Sequence, residues 1–174
     1  MRAYLILCCV AMLTMSVPSA RAQCVDLNDL LAIGADPTAQ ISGKVVTDHV
    51  SFEWAFVGAT PTAKEAFWTF TPSGAPAPTG RLQVRPQRSG QDVVLKTAQA
   101  SCLRELRAEL KARKLTAQPV TCPNCEAVRY QAADFAVTLY SKMKGEFSFV
   151  VVVHQVPAGM PPAAAARTIG SKMP

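Results

Sequence analysis

Two cysteines separated by two residues, Cys122-Pro123-Asn124-Cys125, form the only short element in this sequence with reactive chemistry attached. A pair at this spacing can close a reversible disulfide, and a thiol whose pKa is lowered at a helix N-terminus becomes a nucleophile. Cys122 would then attack and Cys125 resolve. The same spacing supplies half of a zinc knuckle, but zinc wants four ligands. Beyond the N-terminal segment the chain adds only Cys24, Cys102, His49 and His154, none of them in a second pair. A third chemistry is structural. Proline and asparagine are turn formers, so a local disulfide would fasten a turn between two strands. The structural clasp is the favoured reading.

The order of residues in this element resembles the active-site motif of thioredoxin-like proteins. That resemblance would imply a thiol-disulfide oxidoreductase with Cys122 and Cys125 as its catalytic residues. It covers four residues only. Thioredoxin-like proteins place the motif early, after a first strand and before a long helix. Here strand alternation returns by Phe135, and the only downstream proline suited to such a site is Pro157.

Other residues offer less. His49 stands beside Asp48, but no Gly-x-Ser-x-Gly element supplies a nucleophile. His154 has no patterned partner. Glu53 and Glu65 are carboxylates whose separation the sequence does not set. No glycine-rich phosphate loop occurs, so no cofactor is expected. Trp54, Trp68 and Tyr130 are the candidate binding residues. Aromatics on sheets are usually core, but on an exposed face they make a contact surface of large apolar area and few rotamers.

The N-terminus sets the expected compartment. Met1-Arg2 precedes an apolar run over 3–15, then Ser16-Val17-Pro18-Ser19 and Ala20-Arg21-Ala22. A positive start, a short apolar core and an Ala-x-Ala site are the three regions of a secretory signal. The apolar core is too short for the roughly 20 residues of a membrane span. Residues 1–22 are therefore expected to be removed, leaving no membrane span and a periplasmic or secreted chain. A lipid-modified Cys24 is disfavoured by Gln23 and Arg21 before it. Arg2 and Arg21 leave with the signal, so the net charge of +6 falls to +4. That excess is mild, and the cluster Arg104, Arg107, Lys111, Arg113 and Lys114 is broken by Glu105 and Glu109. It reads as a solvated helix face, and no nucleic-acid partner is expected. Cys24, Cys102, Cys122 and Cys125 remain, an even count that suggests disulfides in an oxidising compartment. Three pairings are possible; Cys24–Cys102 with Cys122–Cys125 is preferred.

The periodicity gives the elements. Residues 24–33 read as a helix with Leu27, Leu30 and Leu31 on one face and Gly34 as its stop. Residues 44–57 have strand character, with Val50, Phe52, Trp54 and Phe56 on one face. Further strands are expected at 66–71, 81–85 and 92–96, with an extended turn at 72–80. The best helix covers 97–115, with Leu103, Leu106 and Leu110 in one stripe, Thr97 or Ser101 as cap, and a Glu109–Arg113 pair. Strands follow at 116–121, 127–132, 135–141 and 147–155. Phe147, Phe149, Val151 and Val153 share a face of the last, and Val150 and Val152 make its other face apolar, as in a central strand. Residues 157–174 are rich in proline and alanine and are expected to be a disordered tail.

The expected fold is α+β: an antiparallel sheet with two helices packed on one face, in one domain over 23–156. Its halves at 23–96 and 97–156 suggest a duplicated α-β-β-β unit. That layout is similar to tandem-repeat secreted inhibitors. The functional expectation is an exported binding or inhibitor-type module without catalytic activity, partnered by another exported or envelope protein. The alternatives are the oxidoreductase above and a structural envelope-associated protein.

Overall fold

In a computed structural model of the chain, residues 23–39, 41–60, 65–87 and 90–155 are described. The expected signal, 1–22, and tail, 157–174, lie outside these residues. Helix α1 (Leu27–Ala35) begins at Asp26, whose carboxylate accepts the Asp29 N–H at 2.8 Å and so satisfies one orphan donor of the first turn. Leu27, Leu30 and Ile33 are fully buried. Gly34 does not stop the helix, which runs on to Ala35. It serves packing: a Cβ there would lie 2.6 Å from Gln155 Cγ and 3.4 Å from Val93 Cγ2, so only glycine lets the last turn sit this close to the sheet.

The segment expected as a strand over 44–57 divides. Its first part is a single helical turn, α2 (Gly43–Thr47). Local bonds decide this: Lys44 pairs with Asp48 one turn on, and the Thr47 hydroxyl donates to the Gly43 carbonyl at 2.8 Å. The strand β1 starts only at Trp54 (Trp54–Thr60), so Phe52 lies outside it. Then come β2 (Glu65–Phe70), β3 (Gly80–Gln87) and β4 (Gly90–Thr97). Helix α3 (Ala100–Ala112) follows, then β5 (Ala117–Val120), β6 (Glu126–Gln131), β7 (Phe135–Ser141) and β8 (Phe149–Gln155). Thr97 is the end of β4 rather than a helix cap: the cap position is Gln99, whose N–H donates to the Thr97 hydroxyl at 3.0 Å.

The eight strands make a single antiparallel sheet in the order β1-β2-β3-β4-β8-β7-β6-β5. The molecule is thus α+β, and β8 is central, as its two apolar faces suggested. Alternate residues of β2, β3, β4, β8 and β7 point into one core, among them Trp68, Leu82, Leu95, Val151 and Leu139, all without solvent exposure. Leu30 and Ile33 of α1 and Leu103, Leu106 and Leu110 of α3 enter the same core. Phe147 departs from its expected face. It precedes β8, and its ring lies beneath the Arg81 guanidinium, 5.9 Å from the centroid, on the side of Val150 and Val152. No helix among the described residues is long and apolar enough to cross a membrane.

Glutamine side chains tie the helices to the sheet. Gln91 of β4 is buried, and its amide nitrogen lies 2.8, 3.0 and 2.8 Å from the carbonyls of Ile33, Gly34 and Asp36. Gln155, its direct partner on β8, donates to the Leu31 carbonyl at 2.9 Å. Gln23 donates to the Thr79 carbonyl and the Thr97 hydroxyl. At the other end of α1, Glu109 of α3 accepts the Leu27 N–H at 3.1 Å. The expected Glu109–Arg113 pair does not form; Arg113 donates to Asn28 instead, at 2.6 Å.

Two outcomes follow. Replacing Gln91 by leucine strands buried carbonyls at the end of α1 and should cost about 1–3 kcal/mol, read as a lower urea midpoint at unchanged slope. Burial pushes the Glu109 carboxyl above its ordinary value, against the lowering effect of the Leu27 bond. The folded state therefore binds this proton more tightly than the unfolded chain. Its contribution is fully present below the unfolded value and is lost as pH rises through the folded one. Glu109→Gln keeps the acceptor but not the charge. Its melting temperature relative to the parent should climb as pH rises above the ordinary carboxylate range; a flat difference would contradict this.

Candidate functional site

The Cys122-Pro123-Asn124-Cys125 element is the tip of the hairpin joining β5 to β6. Cys122 and Cys125 stand at disulfide distance, Cα–Cα 5.3 Å, with Pro123 and Asn124 exposed between them. Strand β6 begins at the next residue, so no helix N-terminus faces Cys122. The electrostatic device that would make it an attacking thiolate is missing from this turn. Pro157 lies outside the described residues. Cys24 and Cys102 form the second pair, Cα–Cα 5.1 Å, fastening the start of α1 to α3 across a sequence separation of 78.

The remaining candidates are committed to structural bonds. His49 turns to Asp29, at 3.1 Å, while Asp48 pairs with Lys44. His154 has a partner that only the strand register reveals: its Nδ1 lies 2.7 Å from Asp92 Oδ1, across the β4–β8 ladder. Asp92 also accepts from Gln87 at 2.7 Å and faces Arg85 Nε at 3.3 Å. No group of three or more metal-ligating side chains occurs among the described residues. Glu53 precedes β1, and the Glu65 side chain lies outside the described ones. Trp54, Trp68 and Tyr130 are 3%, 0% and 2% exposed. They are core, and the structure does not offer them to a ligand. Trp54 packs on Phe70, centroids 5.6 Å apart.

The exposed apolar residues lie elsewhere. Among the described residues the large exposed hydrophobics are Ile41, Phe52, Phe56 and Val57, at 84%, 93%, 50% and 65%. All four belong to the corner where α2 packs on β1. Phe56 stacks on Trp68, centroids 5.1 Å apart, and its ring lies 3.4 Å from where a Cβ on Gly43 would stand. Glycine at 43 therefore seats α2 on that ring. Val57 marks a bulge, where the β1–β2 register shifts between Phe56 and Gly58, and Gly58 takes a φ of +121°.

Among the described residues strand β1 is also an outer strand, paired with β2 alone. Its sequence, Trp-Ala-Phe-Val-Gly-Ala-Thr, holds no charge and no proline. The opposite outer strand, β5, is four residues long, mostly exposed and interrupted by Pro119. Short length and proline are the devices by which sheets blunt an edge. The β5 edge has both, whereas β1 carries the bulge at Val57 instead. An uncharged, apolar, unpaired strand can accept an extended segment, with backbone bonds giving affinity and apolar side chains giving selectivity. Sequence reasoning missed this corner because it placed Phe52 and Phe56 on one buried strand face. Edge position depends on strand order, which periodicity does not encode.

For the cysteine hairpin, the expected result is that Cys122 and Cys125 resist alkylation through glutathione buffers of mild potential and open only in strong reductant. Opening at mild potential while Cys24–Cys102 stays closed would restore the oxidoreductase. No protein-family model, curated protein or solved structure matches this chain.

Proposed function

We propose that the chain is an exported, non-catalytic binding or inhibitor-type module that takes an extended segment of another exported or envelope protein along β1. The observation that carries this reading is the exposure of Phe56 and Val57 on the uncharged outer strand β1, with Ile41 and Phe52 exposed in the neighbouring segments of the chain. A patch of this kind marks an interaction site more often than it decorates a free surface. Export is supported by the apolar run before Ala22 and by two cysteine pairs at disulfide distance, which suit an oxidising compartment. The absence of chemistry is supported by the assignment of Cys122, Cys125, His49 and His154 to structural bonds.

The same reading includes a duplicated scaffold with α1 and α3 on one face. Its support is the mirrored strand order, in which β4 and β8, the last strands of each half, meet at the centre while β1 and β5 lie at the rims. Each half then comprises one long helix and four strands.

The test is capture of partners from the exported fraction by the immobilised, oxidised protein, compared with a Phe52→Ser, Val57→Lys double variant. Both positions are exposed, so the variant should keep the parent's melting temperature within about 0.5 kcal/mol of stability. The parent is expected to retain a partner that the variant loses. Equal capture by both proteins, or none at any salt concentration, would overturn the reading.

A further inference from the structure

The sheet has a second surface, on the face opposite the core, which is independent of the β1 edge. Its side chains fall in rows set by the strand register. One row runs Arg85, Asp92, His154, in which Asp92 bonds both the Arg85 and the His154 side chains. The next but one runs Arg81, Lys96, Val150, Tyr140. It contains no acid. Arg81 and Lys96 stand directly opposite each other on β3 and β4, and like charges at opposed positions destabilise a sheet. Lys96 makes no ion pair or hydrogen bond among the described residues, and neither does the Tyr140 hydroxyl or Lys144.

Between these donors lies an apolar floor. Val94, Val150 and Val152 form it beside the polar Gln83, with Met143 and Phe147 of the β7–β8 connection at one end. The groove holds about 500 Å³, within the range of small-ligand sites. Its charged lining is Lys96 and Lys144 against Glu146, with Arg85 already paired to Asp92. Cations around aliphatic side chains suit a molecule that is anionic at one end and aliphatic along the rest. A cationic amphiphile would meet repulsion at Lys96, and a sugar would leave its hydroxyls against valines.

We infer that this groove binds a free long-chain carboxylic acid. The carboxylate sits between Lys96 and Tyr140, which flank Val150 in the same row. The chain lies over Val150, Val94 and Val152, away from the β7–β8 connection.

The experiment is calorimetric titration of the full oxidised protein with dodecanoate below its micellar concentration. Dodecyltrimethylammonium and acetate serve as comparisons, and Lys96→Gln and Val152→Thr as variants. One equivalent of dodecanoate is expected to bind, with affinity falling about tenfold or more in Lys96→Gln. Val152→Thr should weaken it less, and neither comparison molecule should saturate the site. Lys96→Gln removes a like-charge opposition, so its melting temperature should equal or exceed the parent's, which separates lost binding from lost folding. The inference falls if dodecanoate does not bind, if Lys96→Gln binds it equally, or if dodecyltrimethylammonium binds as well. It also falls if acetate binds as tightly as dodecanoate, since the apolar floor would then play no part. Lys96-dependent binding of poly-glutamate without binding of dodecanoate would assign the face to an acidic polypeptide instead.

Discussion

Everything in this molecule hangs on the pairing of β4 with β8. The two strands lie 52 or more residues apart in sequence, yet their ladder runs without a break from Gln91 opposite Gln155 to Thr97 opposite Phe149. It joins the first four strands to the last four. At its upper end the opposed pair Gln91 and Gln155 turns both amides to one helix terminus, where they bond the carbonyls of Leu31, Ile33, Gly34 and Asp36. The central ladder therefore fixes α1 as well as the sheet. Gly34 completes the arrangement, since a methyl group there would push the helix off the very strands that cap it.

The two surfaces left over differ in physics. The β1 corner is apolar, neutral and backed by an unpaired strand, which suits polypeptide. The face opposite the core is a basic rim around valines. Neither uses the cysteine hairpin, which sits on the far rim of the sheet, at β5 and β6. The cysteines of the hairpin thus fasten a turn, and both surfaces lie away from them.

Much of the frame was legible from periodicity. The leucine stripes of α1 and α3, the alternation of 135–141 and the double apolar character of β8 all read correctly, because burial on one face imposes a period that survives in sequence. Three features escaped for physical reasons. Val45 and Val46 carry strand propensity, but one local ion pair and one hydroxyl bond turned their segment into α2. Phe147 left the pattern of β8 because the strand begins two residues later, and a cation on β3 holds the ring. The surfaces were invisible because each is defined by which strands are neighbours. Arg81 and Lys96 are 15 positions apart, and nothing but strand order makes them face each other. The same holds for Asp92 and His154.

The place of β8 at the end of the described chain has a consequence for assembly. Synthesis delivers β1 to β4 and then α3 before the second half exists. Cys24 and Cys102 are both present by then, so the first covalent loop can close around β1–β4 while Cys122 and Cys125 are still to come. Until β8 arrives, the inner edge of β4 stands open over its full length, displaying Val93, Val94 and Leu95. The chain therefore spends that interval with an apolar strand unpaired. The order of delivery protects the correct cysteine pairing, while the window of risk for aggregation lasts until the final strand is in place.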